Sequence, residues 1–189
     1  MADQGVALKE WAAAIQALTE GTQLFILRKG GIREETKDFQ VKSDSFFLYP
    51  TYEHQKKELL KEEYQSKIDE TLKQWDPDSG FVAVSAFAEL VEDIEISDQE
   101  QLEKLQNFHI WTERFAEERL RWKRKNPLHL MLLRMYKLEK PLQIKISTEY
   151  IGCKSWIELQ DVRRDSIRAP VLSDEEFISR VSEIKAALR

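Results

Sequence analysis

Residues 81–97 read FVAVSAFAELVEDIEIS, and residues 128–147 read LHLMLLRMYKLEKPLQIKIS. The first stretch is rich in Val, Phe and Ile and ends in the alternating sequence VEDIEIS, which favours a strand, although its alanine-rich centre also suits a helix. The second stretch begins with an apolar run and continues beyond Pro141 with LQIKIS, which alternates as a half-buried strand does. The two halves of this second stretch, before and after Pro141, are predicted to form a hairpin. Strands are therefore expected at the centre of the fold.

The N-terminal half of the chain combines helix and strand signals. The predicted elements are a helix from Leu8 to Leu18 ended by Gly21, a strand over 24–27, a strand pair at 39–41 and 46–49, and a helix over 51–75 with Thr51 as its N-cap. The sequence Asp76-Pro77 stops this last helix.

The C-terminal half adds a strand over 156–159 and three further helices. These helices are predicted to begin after the caps Ser97, Thr112 and Ser173, and capping boxes are formed by Ser97 with Glu100 and by Ser173 with Glu176. Unevenly spaced strands interrupted by helices predict an α+β fold, a small mixed or curled sheet or barrel with peripheral amphipathic helices. We expect a single domain over 1–172, with a C-terminal amphipathic helix over 173–189 packed on it.

Composition and charge exclude one class of nucleic-acid-binding protein and leave another open. The 189 residues are 42% hydrophobic and 33% charged, with a net charge of −5, which excludes a uniformly basic nucleic-acid-coating domain. The charge is uneven, because residues 74–103 hold nine Asp and Glu and no Lys or Arg, whereas residues 104–189 hold 18 Lys and Arg against 12 Asp and Glu. A binder that uses one basic face therefore remains compatible with the sequence.

The sequence lacks the signature motifs of several classes of protein. The chain has no phosphate-loop, dinucleotide-binding, zincin or hydrolase-elbow motif. The single cysteine allows no internal disulfide, and no secretory leader or long apolar run is present. We therefore expect a cytoplasmic protein without membrane contact, with no cofactor and no metal site.

A basic turn is the first candidate site. Arg28 and Lys29 precede Gly30-Gly31, a combination that can bring cations and backbone amides close to a phosphate. The alternative is an ordinary solvent-exposed turn.

The start of the predicted second helix is another candidate. Thr51, His54 and Gln55 would lie in its first turn, where free backbone amides attract anions. The helix dipole would keep His54 neutral, so His54 is a candidate proton acceptor for catalysis, and a capped, partly exposed helix start is the alternative.

A third candidate is the basic end of a short predicted helix. Five cations and a tryptophan able to stack on a base form a possible phosphate-tracking surface, and a solvated helix end is equally compatible with them. Its residues are Arg119, Arg121, Trp122, Lys123, Arg124 and Lys125.

Three other chemically notable residues have simpler interpretations. Cys153 is a candidate nucleophile because Lys154 can lower a thiol pKa, but a buried inert thiol is the alternative. His109 and Trp111 are interpreted as core residues.

The ordered motifs ALKEWAAAIQAL, ILRKGGIREETKDF, FFLYPTYEHQ, FHIWTERFAEERLRW, LHLMLLRMYKLEKP and YIGCKSW resemble the bacterial family named domain of unknown function 1802. That resemblance covers nearly the whole chain and implies a single domain but no reaction. The order of strands and helices is also similar to that of PUA-like barrels, including the ASCH and EVE groups, which bind RNA or modified bases. No binding residue is carried over from them.

Three functional hypotheses follow. The first is a nucleic-acid or nucleotide-like anion binder, with RNA or single-stranded DNA as partner, that uses Arg28, Lys29, His54 and the 119–125 cluster. The second is an enzyme acting on a small anionic substrate, with His54 as proton acceptor. The third is an interaction module whose last helix docks a protein partner. The sequence alone leaves catalysis and oligomeric state open.

Overall fold

The computed structural model describes residues 5–29, 39–121, 127–152, 154–162 and 165–189. These residues form, in chain order, β1 (Gly5–Trp11), α1 (Ala12–Thr19), β2 (Phe25–Arg28), β3 (Ser45–Thr51), α2 (Ser66–Lys73), β4 (Phe81–Ile96), α3 (Gln99–Lys104), α4 (Glu113–Arg121), β5 (Leu128–Lys145), β6 (Trp156–Leu159), β7 (Arg168–Pro170) and α5 (Asp174–Ala187). Short 3₁₀ turns lie at Lys57–Leu59, Glu62–Tyr64, Gln106–Phe108 and Thr148–Tyr150. The predicted α+β class is confirmed.

The strands form one curled, mixed sheet. Its order is β2-β5-β4-β3-β1-β6, with β7 added to β5, and every pairing is antiparallel except that of β1 with β3. β2 and β6 lie at opposite ends of this order, yet Arg28 at the end of β2 hydrogen-bonds Ser155 just before β6. The sheet therefore curls until side chains bridge its two edges.

One long antiparallel pair, β4 with β5, forms the centre of the sheet. The predicted hairpin over 128–147 is wrong, because residues 128–145 form a single strand that pairs along β4. The register shifts between Val84 and Ala86, opposite the segment that contains Pro141. A proline lacks a backbone N–H, and at a register shift the ladder does not require one, so the strand continues past it.

The predicted first helix is half wrong. Leu8 and Trp11 belong to β1, and the helix begins only at Ala12. Residues 7–11 pair with β3 on one side, and residues 5–8 pair with β6 on the other, so Ala7 and Leu8 are both fully buried. Burial of both strand faces removes the alternation that would have distinguished this strand from a helix.

The predicted helix over 51–75 is also wrong in its first part. Thr51 is the last residue of β3, opposite Trp11, and the helix begins only at Ser66. The periodic residue Leu60 instead forms an isolated bridge with Trp111. Tertiary contacts thus override a helical pattern of apolar residues in this segment.

Other predicted boundaries have mixed outcomes. The short strands at 24–27 and 156–159 and the long strand from 81 are confirmed within one residue, as are the caps of α4 and α5 at Thr112 and Ser173. Residues 39–41 are not a strand. The cap of α3 is Asp98, because its side chain accepts from the Gln101 N–H, whereas Ser97 lies one residue too early.

The core has layers on both faces of the sheet. One face, together with α1, buries Leu8, Ile15, Ile26, Phe39, Phe46, Leu48, Met131, Leu133 and Trp156. On the other face, residues of β2 and β5 pack against α3, α4 and α5. The polar side chains of Glu10, Arg28 and His129 lie on the first face where β1 and β2 end and β5 begins, and the candidate site lies there.

Candidate anion-binding site

Arg28 bridges the two edges of the curled sheet. Its Nη1 donates to the Lys9 carbonyl at 3.2 Å and lies 3.5 Å from Glu10 Oε2, and its Nη2 donates to Ser155 Oγ at 2.6 Å. The Arg28 side chain is 11% exposed, and its Nε is buried without a hydrogen-bond partner. A buried N–H without a partner is unfavourable, so Nε is the donor of this guanidinium whose hydrogen-bonding capacity is unmet.

A second guanidinium, that of Arg119 on α4, lies near the first. Burial, together with the charge of Arg28, lowers the pKa of Arg119 to about 10, and Glu10 acts in the opposite direction. Arg119 lies over the Phe115 ring, 4.9 Å from its centroid, and forms no hydrogen bond or ion pair within the described part of the chain. With this pKa, Arg119 is still protonated at neutral pH, so its positive charge adds to that of Arg28 in the surroundings of Glu10.

Glu10 is held by the sheet. Its Oε1 accepts from the Trp11 N–H at 2.8 Å, and Thr51 Oγ1 donates to its backbone carbonyl at 3.1 Å. The residue is 6% exposed. One carboxylate cannot neutralise two guanidinium groups, so the side chains of Glu10, Arg28 and Arg119 together carry a net positive charge. We call Glu10, Arg28, Arg119 and Ser155 the Arg28 site.

A histidine and a carboxylate border the Arg28 site. His129 of β5 stands opposite Arg28 in the β2–β5 pair, and its Nδ1 lies 2.9 Å from Asp93 Oδ2. The Phe39 ring contacts both residues, 5.6 Å from Arg28 Cζ and 5.5 Å from the His129 ring centroid. The imidazole and the guanidinium therefore share one face of the sheet.

Lys29, predicted to bind an anion, is used inside the protein. Its Nζ donates to the carbonyl of Leu120 in the last turn of α4, the residue is only 3% exposed, and burial lowers its pKa. A cation suits the C-terminal end of a helix, so Lys29 attaches β2 to α4 beside Arg119. The following residues of the predicted turn, Gly30 and Gly31, lie outside the described residues.

The predicted helix-start site is not a helix start. His54 lies in a turn with φ of 65° and is exposed, and within the described ranges no hydrogen bond or ion pair joins it to Arg28 or Lys29. Gln55 Oε1 accepts from the Ala13 N–H at 2.9 Å, so this side chain serves helix α1. Of the three residues, Thr51 alone contacts the Arg28 site, and the hypothesis of an enzyme with His54 as proton acceptor lacks convergent geometry.

The basic cluster is described only at its start. Arg121 lies at the exposed end of α4 and pairs with Glu117 at 3.3 Å. Trp122, Lys123, Arg124 and Lys125 lie outside the described residues, and so does Cys153. Arg28 and Arg119 are therefore the predicted residues that the structure brings together, although the sequence places them 91 positions apart.

Sequence reasoning missed Glu10, Asp93, His129 and Ser155. One available signal was the position of His129, since it has the same strand parity as the buried Met131 and Leu133. A polar residue on the buried face of a strand requires a partner. Glu10 had no such signal, because β1 was read as a helix.

The described residues contain neither a membrane-spanning helix nor a cluster of metal ligands. No described helix is long and apolar enough to span a membrane. Within the same ranges, no group of three or more His, Cys, Asp or Glu side chains is arranged to hold a metal ion.

Comparisons with known proteins find a family and distant structural neighbours. The family model described as domain of unknown function DUF1802 matches residues 7–183. No curated protein matches.

The similar solved structures include ASCH from Zymomonas mobilis, with 14% identity, a TM-score of 0.47 and coverage of 94% of each chain. A serine-to-alanine mutant of ASCH from the same organism has 13% identity, a TM-score of 0.47 and coverage of 96% of this chain and 98% of that chain. These similarities assign no function and no site residue to this chain.

Proposed function

The chain belongs to the DUF1802 family of domains of unknown function, as its motifs predicted, and we propose that it binds single-stranded nucleic acid or a nucleotide-like anion at the Arg28 site. The observation that carries this proposal is the pair of guanidinium groups, Arg28 and Arg119, that face one carboxylate. Arg28 Nε has no hydrogen-bond partner, and Arg119 is paired with no described residue. Two oxygens of a phosphate can accept parallel hydrogen bonds from the planar guanidinium of an arginine.

The sequence beyond Arg119 favours a polymer over a single anion. Four further cations and Trp122 follow Arg119 by residue 125. Successive cations can contact successive phosphates of a single strand, and an aromatic side chain can stack on a base between them. The Arg28 site would hold one phosphate, and the 119–125 cluster would extend the binding surface along the strand.

Salt-dependent binding tests this proposal. Fluorescence anisotropy with a labelled single-stranded RNA or DNA of mixed sequence should show affinity that falls as salt rises. Arg119→Gln should raise the Kd about tenfold, as expected when one charge-assisted contact is lost. It should also reduce the slope of log K against log salt by about 0.7.

Arg114→Gln is the matched control, because Arg114 lies on the same helix but is 75% exposed and paired with Glu118. Its effect on affinity should be small. Equal effects of the two substitutions would contradict the proposal, and so would affinity that does not change with salt. If only a nucleoside monophosphate binds, detected as a rise in Tm, the nucleotide-like ligand is the correct one.

A further inference from the structure

The part of β5 that follows Pro141 pairs along one of its edges only. This part pairs with β4, and beyond the end of the strand the Ile146 N–H donates to the Gly80 carbonyl at 2.8 Å. Hydrogen-bonded and non-hydrogen-bonded pairs alternate in an antiparallel ladder, so the backbone groups of Gln143 and Lys145 point away from β4. Among the described residues, no strand pairs with the edge to which they point.

The same edge of β5 is occupied nearer the middle of the strand. β7 pairs there with residues 136–138, and the Glu139 N–H donates to the Ile167 carbonyl at 2.9 Å. Pro141 has no backbone N–H to donate. The edge is then open over residues 142–145, in line with β7. An open sheet edge offers its N–H and C=O groups to another extended chain.

A cleft with a volume of about 660 Å³ lies along this open edge. Consecutive residues, 142–147, line it. A cleft against one face of a strand would be lined by alternate residues, because successive side chains point to opposite faces, so this cleft follows the edge. Its other sides are formed by Tyr150, Ser166 and residues 160–162. The Gln160 N–H donates to the Tyr150 hydroxyl at 3.1 Å, which holds this wall in place.

We propose that this cleft binds an extended peptide segment of another protein, which adds to β5 as an antiparallel strand in line with β7. The open edge supplies the backbone hydrogen bonds, and the cleft supplies the space beside it. The wall at 160–162 favours a single added strand over a second copy of this chain. In a second copy, the corresponding strand carries β4 along its other edge, so it is too wide for a walled cleft.

The side chains around the edge specify the chemistry of the peptide. Ile144 and Ile146 belong to the apolar layer that also contains Tyr150, so the peptide needs apolar residues at alternate positions. Lys145 is exposed and forms no ion pair in the described part of the chain, so an acidic residue opposite it gains a cross-strand ion pair. Asp161 also lines the cleft. The matching segment therefore has one acidic residue flanked by apolar residues and not an acidic run.

Fluorescence anisotropy with a short labelled peptide tests the proposal. The peptide has blocked termini, Val at alternate positions, and one Glu and one Thr between the valines. It should bind the full chain saturably, and replacement of its Glu by Lys should raise the Kd about fivefold, as expected for one cross-strand ion pair. Methylation of the backbone nitrogens of Glu and Thr removes the N–H groups that face β5, so this peptide should not bind.

Substitutions at the edge test the same contacts from the protein side. Gln143→Pro removes an N–H that points away from β4, so it should raise the Kd about tenfold while β4 stays paired. Gln143→Ala is the matched control, because it keeps this N–H, and its Kd should be unchanged. Lys145→Glu should reverse the preference, so that the peptide with Lys binds more tightly than the peptide with Glu.

Urea unfolding checks that each variant is folded, and the methylated peptide provides the same test if Gln143→Pro is not. Equal binding of the methylated and unmethylated peptides would overturn the proposal, and so would an absence of binding by a monomeric protein, which would make this an ordinary solvent-exposed edge. Light scattering tests the remaining occupant. If the protein is a dimer that Gln143→Pro converts to a monomer, a second copy occupies the edge and the peptide proposal is wrong.

Discussion

At the scale of single residues, Arg28 has a structural role, and the anion binding that we propose would use the same side chain. Arg28 was predicted as part of a flexible basic turn, yet it contacts β1 through the Lys9 carbonyl and the residue before β6 through Ser155. These contacts hold together the edges of the curled sheet. They use Nη1 and Nη2 and leave the buried Nε without a hydrogen-bond partner.

His109 shows the opposite case, a histidine whose role is structural. It is 3% exposed, its Nδ1 accepts from the Trp111 N–H at 3.2 Å, and its ring packs edge-on against Phe25. Burial lowers the pKa of His109 to about 4, and the positive charge of Lys61 acts in the same direction. The prediction that His109 and Trp111 belong to the core is confirmed.

This depressed pKa predicts a pH dependence of stability. The folded protein binds the His109 proton more weakly than the unfolded chain, whose histidine pKa is about 6.5. The stabilisation is complete above pH ~6.5 and is lost as the pH falls towards 4, with a total of about 3 kcal/mol. Urea unfolding at several pH values measures it. The difference in unfolding free energy between the unaltered protein and His109→Asn should shrink over this range, and a constant difference would contradict the assignment.

At the scale of elements, α1 depends on a residue distant in sequence. Its N-cap residue, Trp11, offers no side-chain hydrogen bond to the first turn. The side chain of Gln55, 42 positions after Ala13, accepts from the Ala13 N–H instead. The turn that follows β3 thus provides the cap that the local sequence lacks.

Gln55→Ala should therefore destabilise the protein by about 1 kcal/mol, the usual effect of losing a helix cap. Gln55→Glu keeps the acceptor and adds a negative charge at a helix N-terminus, so it should retain the stability. Chemical denaturation compares the two variants. Equal losses would show that Gln55 acts through packing and not as a cap.

Local and distant interactions explain which elements were predictable. The caps of α4 and α5 lie within three residues of the N–H groups that they bind, so short motifs identified them. The first strand and the residues after Thr51 were misread as helix, because pairing with β3, β6 and Trp111 decides their conformation. Such partners are far away in the sequence and leave no local pattern.

At the scale of the whole molecule, α5 completes the core. Ile184 is fully buried among residues of β2, β4 and β5, and Phe177, Val181 and Leu188 pack around it. Arg180 donates to the carbonyls of Gly21 and Thr22, and Lys185 pairs with Glu92. Phe177, Val181, Ile184 and Leu188 are thus used within the molecule, which gives no support to the hypothesis that these residues dock a partner.

Ile184→Ala should lower the free energy of unfolding by about 2–4 kcal/mol because it leaves a cavity in the core. Ile178, which is 64% exposed on the same helix, provides the control. Ile178→Ala should change stability by no more than about 0.5 kcal/mol. Thermal or urea unfolding of both variants measures the difference, and similar losses would contradict the packing of α5.

The uneven charge along the sequence is partly cancelled in space. The acidic segment 74–103 includes β4, whose carboxylates pair with groups from the basic second half of the chain. These contacts join Asp93 to His129, Glu92 to Lys185 and Glu89 to Arg168. These pairs reduce the charge contrast between the two segments in the folded protein, and the anion binding that we propose depends on Arg28 and Arg119.

The α+β class, the long strand from residue 81, the caps of α4 and α5, and the family were all predictable from the amino-acid sequence. Each of these depends on spacing or composition within a short stretch, or on motifs in order along the chain. Tertiary contacts were needed to show that β1 is a strand, that residues 128–145 form a single strand, and that Arg28 and Glu10 lie near His129 and Arg119. The physical reason is that strand pairing and sheet curvature bring together residues far apart in the chain, and neighbouring residues do not encode those partners.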